Sequence, residues 1–317
     1  MTTSRPPASR SIHAEGHKGL LSNRVLQPLE YWWRDHQKWL EDRGYMLRPR
    51  YREGWTPSWG EGEDWFFRNE DSVFIMREHI LDATRISDGE MVVLKRIDTS
   101  VHPHELEITQ YFSTEPIASH PRNHCVPLYE AFMVPDQPNY GLQFIHQSHV
   151  AHRKEVRYRS RTAVPVKYYF IDFGISRKYD ANGGPPLELP ISGGDRSVPE
   201  FQGEGSYEPV NPFPTDIYYL GNMIRLHSLQ MTQSLDFMEP LVADMTQNDP
   251  SKRPSIDEVV KRFREMQRTM SQLKLRSRIK YHDEGGPVSL AYLNVKHLFR
   301  TLAHLLLFRS ATPTPDV

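Results

Sequence analysis

The chain has 317 residues, 38% of them hydrophobic and 25% charged, with a net charge of −1. That is the length and mix of one large domain or two lobes with a substantial core, and nothing in the charge asks for nucleic acid or a lipid surface as partner. One cysteine, Cys125, excludes an internal disulfide and fits a reducing compartment, cytosol or nucleus.

Residues 1–24 lack an apolar core and read as a disordered tail rather than a secretory signal. In 25–64, Leu29, Trp32, Trp33, His36, Trp39 and Leu40 recur at three- and four-residue steps, which predicts an amphipathic helix ended by Gly44, followed by turns. The tryptophans at this spacing are packing residues. From Trp65 to Ile97 the chain is rich in strand formers, with Ser87-Asp88-Gly89 as a hairpin signal. "HPHELEITQYF" predicts a helix and "VPLYEAFMV" a strand. "GLQFIHQSHVAH" is expected to be a short helix from Gly141 to His149, and "VKYYFIDFG" a buried strand. A Gly/Pro/Ser-rich loop covers 180–214, and helical patterns follow from 215 onward. The segment 271–317 reads as a linker and a C-terminal amphipathic helix. Lys296, His297, Arg300 and His304 interrupt its apolar run 289–308, which argues against a spanning helix and favours a helix docked on a partner or on the same chain over one lying on a membrane surface.

Chemistry enters with Lys95, which ends the apolar strand "MVVLK" and can reach nucleotide phosphates if a helix carboxylate steadies it. Glu105 on the following helix is the candidate, with Glu107 as the alternative. His152-Arg153 follows a helix end. Asp172-Phe173-Gly174 follows a strand, so that Asp172 can reach a Mg²⁺ bridging phosphates. Val198-Pro199-Glu200, Asp216 with Gly221, and Arg253 come after them in order.

In this order, over about 65–270, the landmarks resemble the eukaryotic protein kinase fold. The aromatic helix and "PLELPISGGDRSVPEFQ" are more narrowly similar to a group of fungal kinase-like proteins. The resemblance implies an α+β, bilobal fold with a small β-rich lobe and a mainly helical one. It implies ATP and Mg²⁺ as cofactors and a protein substrate or regulated protein partner. It also implies an internal Glu200–Arg253 ion pair and an Asp216 that anchors the catalytic loop, with His152, Arg153, Phe173 and Gly174 as structural residues.

Three departures cut against catalysis. Where the family carries its base and a metal-binding Asn, this chain has Lys154 and Arg159. An ordinary ammonium accepts no proton and a guanidinium binds no Mg²⁺, while Glu155 is one residue out of register. Between "LYEAFMV" and "HVAHR" only "PDQPNYGLQFIHQS" remains, about thirty residues fewer than the strand, adenine-binding hinge and helices of the family need, with the apparent break near Tyr140-Gly141. No Gly-x-Gly-x-x-Gly precedes Lys95; Gly60-Glu61-Gly62 is too far upstream and acidic. The expected reading is a pseudokinase-like scaffold or regulator with little or no phosphotransferase activity. The alternative is an active kinase of Ser/Thr type whose sequence here lacks an exon covering the hinge and catalytic Asp.

Overall fold

A computed structural model describes residues 24–60, 69–72, 75, 77–146, 167–191 and 193–312. The chain is α+β and divides into two compact units: Met1–Ala118 with Val126–Val156, and Ser119–Cys125 with Arg157–Val317.

The first unit is built on a five-stranded antiparallel sheet of order β1-β2-β3-β5-β4. Its strands are β1 (Tyr45–Leu47), β2 (Ile80–Arg85), β3 (Met91–Asp98), β4 (Leu128–Val134) and β5 (Gln137–His146). The β2–β3 hairpin turns through Gly89 at φ +74°, a conformation that glycine adopts without a Cβ penalty, and Arg85 closes the turn by donating to Asp88 at 2.6 Å.

Along β3, Val92 and Leu94 point to one face and Lys95 to the other, as the period of two requires. The Val92 face is covered by the N-terminal segment. Trp33, Leu40, Tyr45, Leu47 and Tyr51 join Leu81, Val92, Leu94, Leu142 and Phe144 in one core. Residues 25–51 supply the first strand and five of the twelve buried residues of this core. The predicted aromatic helix is present as a 3-10 turn, Pro28–Glu30, and two short helices, α1 (Tyr31–Asp35) and α2 (Gln37–Glu41). The helix breaks at His36, whose Nδ1 lies 2.8 Å from the Trp32 carbonyl while its ring stacks on the Trp32 indole. Trp33 is fully buried and its indole N–H donates to the Glu78 carbonyl at 2.9 Å, a packing role.

A buried ion pair fastens this layer. Arg50 grips Glu30 with two bonds of 2.7 and 2.8 Å, both side chains being inaccessible to solvent. Tyr51 donates to the same carboxylate at 3.0 Å, and Arg50 also donates to the Asp71 carbonyl at 2.7 Å. The charges are paired and their remaining bonding capacity is largely used, which is the condition under which a buried pair is tolerated.

One expectation is overturned here. Residues 141–146 belong to β5 and are not helical. Val134 pairs with Gln137 across a turn at Pro135-Asp136, and β5 then bonds to β4 on one edge and β3 on the other. The alternation of Leu142 and Phe144 with Gln143 suits this two-sided pairing, and a ladder on both edges outweighs the marginal stability of a two-turn helix.

The second unit is mainly helical: α4 (Pro212–Ile224), α5 (Glu239–Met245), α6 (Ile256–Thr269), α7 (Gln272–Leu275) and α8 (Pro287–Leu306). Its apolar centre is Ile217, Leu241, Met245 and Val259. Gly221 sets the distance of α4 from α5, because a Cβ there would come within 2.8 Å of the Met245 Cβ. The predicted buried strand "VKYYFIDFG", 166–174, is not formed over its described residues, 167–174. Among the described residues only Phe170 makes a bridge, to Cys125, while Tyr168, Phe170 and Ile171 are more than half exposed. Strand preference alone does not bury a segment that finds one bonded neighbour.

Candidate functional site

The helix α3 (Glu105–Ser113) lies between β3 and β4 in sequence, and Glu105, Ile108 and Thr109 form its buried side. These positions fall at i, i+3 and i+4, one stripe of the helix. Lys95, on the face of β3 opposite Val92, makes an ion pair with Glu105, the lysine side chain 13% and the glutamate 2% exposed. The alternative carboxylate, Glu107, points to solvent and lies 4.0 Å from His104. Burial of the stripe chooses between the two.

Below the pair, Gln143 of β5 is paired in register with Lys95 and donates to the Thr109 hydroxyl at 3.3 Å. Thr109 in turn donates back to the Glu105 carbonyl at 2.7 Å. Gln143 was not singled out from the sequence. Its signal was a polar residue in an apolar alternating run, masked by the helical reading of 141–149. The second oxygen of Glu105, Oε2, is buried without a hydrogen-bond partner among the described residues. A buried carboxylate oxygen left in this state marks a place where a further donor would be stabilising.

In the second unit Asp172 has φ +64°, a left-handed conformation uncommon for residues other than glycine. It is exposed, Phe173 half-buried and Gly174 buried. His152, Arg153, Lys154, Glu155 and Arg159 lie outside the described residues. Asp216 sits on α4, exposed at its surface, with its carboxyl pushed upward by partial burial. Among the described residues no hydrogen bond or ion pair reaches that carboxylate.

Glu200 and Arg253 make a bidentate ion pair of 2.7 and 2.6 Å, the arginine side chain fully buried. Arg253 also donates to the carbonyls of Gln247 and Pro214, and Thr215 donates to Glu200 at 2.8 Å. Burial pushes the Glu200 carboxyl up, but the bonds from Arg253 and Thr215 outweigh it and leave the group below its ordinary range. The arrangement ties the 198–201 segment to the start of α4 and to the turn before α6. It is an anchor, with no reacting group. Nearby Asp195 accepts from Asn222 of α4 and from the Ser197 backbone at 2.9 Å, a second tether for the same loop that the sequence did not suggest.

Mg²⁺ bound among phosphates takes one or two carboxylates. Asp172 offers one, and the position implied for a second ligand is Arg159, which has no lone pair to give. Among the described residues no cluster of three His, Cys, Asp or Glu side chains could hold a metal ion. Among the described residues the donors do not make up a two-ion site. Comparison of the sequence with protein-family models and with curated proteins finds no match to either.

Proposed function

We propose that this chain is a protein kinase-like protein that works by binding rather than by phosphoryl transfer, a pseudokinase-like scaffold or regulator. The observation that carries the reading is Lys95 on the third strand of an antiparallel sheet, ion-paired with Glu105 on the next helix, the arrangement that positions nucleotide phosphates in protein kinases. Asp172-Phe173-Gly174 and the Glu200–Arg253 anchor in the second unit support it. Lys154 and Arg159 stand against catalysis because an ordinary ammonium accepts no proton and a guanidinium binds no Mg²⁺.

A thermal shift with Mg-ATP tests the reading. Ligand at a hundred times its dissociation constant would add about 2.7 kcal/mol of stability; the expected result is no shift and no phosphate transfer to a generic protein substrate. A shift abolished by both Lys95→Met and Asp172→Asn would show that nucleotide is bound.

A second reading is favoured by a specific observation: an active ATP- and Mg²⁺-dependent kinase, of Ser/Thr type, from which a block of sequence is missing. The exposed apolar side chains of Tyr168, Phe170 and Ile171 are what loss of a covering segment would leave. With β5 formed, the strand required after β4 is present, and the shortfall begins beyond His146 rather than at Tyr140-Gly141. Sequencing the transcript across codons 134–160 decides it. A sole product encoding these same residues would remove the second reading.

A further inference from the structure

Helix α8 leaves most of its large apolar side chains exposed. Its inner line carries Leu293, His297, Thr301 and His304. His304 is buried, and the His297 ring lies 2.9 Å from the Arg276 carbonyl and 3.3 Å from the Thr301 hydroxyl. The segment before it holds it in place. Arg276 donates to the Arg309 carbonyl at 2.6 Å, and Arg278 binds both Glu284 at 2.7 Å and Asn294 at 3.0 Å.

The outer line is Val288, Tyr292, Val295, Phe299, Leu302 and Leu306, each between 46% and 84% exposed. At 3.6 residues per turn these six form a single stripe along a helix about 30 Å long. A continuous apolar stripe in water is unfavourable and marks a surface that another apolar phase covers.

Charge identifies the cover. From 285 to 312 there is no Asp or Glu, while Lys296 and Arg300 stand roughly 80° and 120° round the helix from the centre of the stripe. Over 271–312, seven Lys and Arg face two Asp and Glu, a net of +5 in a chain whose total is −1. Pairing with a second copy through this stripe would bring two such cationic flanks together with no carboxylate on the helix to offset them. A lipid surface bearing anionic headgroups satisfies both features: its acyl boundary takes the stripe, and the long cationic side chains reach the phosphates above it.

We propose that α8 binds in the plane of an anionic membrane surface, with its apolar stripe immersed and Lys296 and Arg300 at the headgroups. No helix among the described residues is long and apolar enough to cross a membrane, and the in-plane seat needs none. The proposal rests on the second unit alone and is independent of nucleotide chemistry.

Co-sedimentation of the full chain with phosphatidylcholine vesicles, with and without phosphatidylserine, tests it. Binding is expected only with the anionic lipid, weakened by added salt. Lys296→Gln and Arg300→Gln should each weaken it about fivefold. Phe299→Asp with Leu302→Asp should abolish it while leaving the melting temperature largely unchanged, since both side chains are exposed. Failure to bind either vesicle, or equal binding to both with no effect of the charge changes, overturns the proposal. So does a dimer in sedimentation analysis that the same aspartates dissociate, which would assign the stripe to a second copy.

Discussion

Phe144 and Phe170 sit in two apolar runs of similar composition, "GLQFIH" and "YYFIDFG", yet one is 0% and the other 68% exposed. Phe144 lies in β5, bonded on one edge to β3 and on the other to β4. Its ring packs on Tyr45 at 4.0 Å and on Phe132 at 5.2 Å. Phe170 has a single bridge, to Cys125, and its backbone N–H donates to the His124 carbonyl at 2.7 Å. The contrast shows that an apolar run is buried only where its edges and faces find partners. Composition supplies the tendency, and neighbours decide the outcome.

The sharpest way to break this contrast is to truncate both rings. Phe144→Ala should destabilise the first unit by about 3–5 kcal/mol, through lost transfer energy and the cavity left behind. Urea unfolding followed by near-UV circular dichroism reads it. An effect of comparable size comes from Glu30→Gln, which leaves the Arg50 guanidinium buried without its counter-charge, again about 3–5 kcal/mol. In the second unit, acid should act through Glu200. Its folded pKa is depressed below 4.5, so its contribution is fully present above that value and is lost as pH falls through the folded pKa. Arg253→Met should flatten this acid-side loss in a melting series across pH. The smallest effect is Phe170→Ser, within about 0.5 kcal/mol because the ring is already solvated. A loss as large as that at Phe144 would mean that Phe170 is covered in solution.

Much of the first unit was legible in advance. The hairpin at Ser87-Asp88-Gly89, β4 and the helix bearing Glu105 were read from turn chemistry and period, and the lysine–glutamate candidates were named from their elements. What escaped was β5, because a short apolar run with one polar interruption suits a helix or a strand equally until its neighbours are known. The Arg50–Glu30 pair escaped for a related reason: twenty residues separate its members, and no local pattern announces a long-range contact. In the second unit, Glu200 and Arg253 were legible only through their order in a resemblance. Their burial and the bonds from Thr215 and to the Pro214 carbonyl belong to the folded chain.

By itself, then, the sequence determined the residue types at each chemical position. An ordinary ammonium at position 154 accepts no proton and a guanidinium at position 159 has no lone pair for a metal ion, because protonation and lone pairs are properties of the side chain. Tertiary structure alone decided which carboxylate meets Lys95, which apolar runs are covered, and that α8 turns its apolar stripe outward. Those outcomes depend on which surfaces meet, and burial is a property of pairs of segments rather than of any one of them.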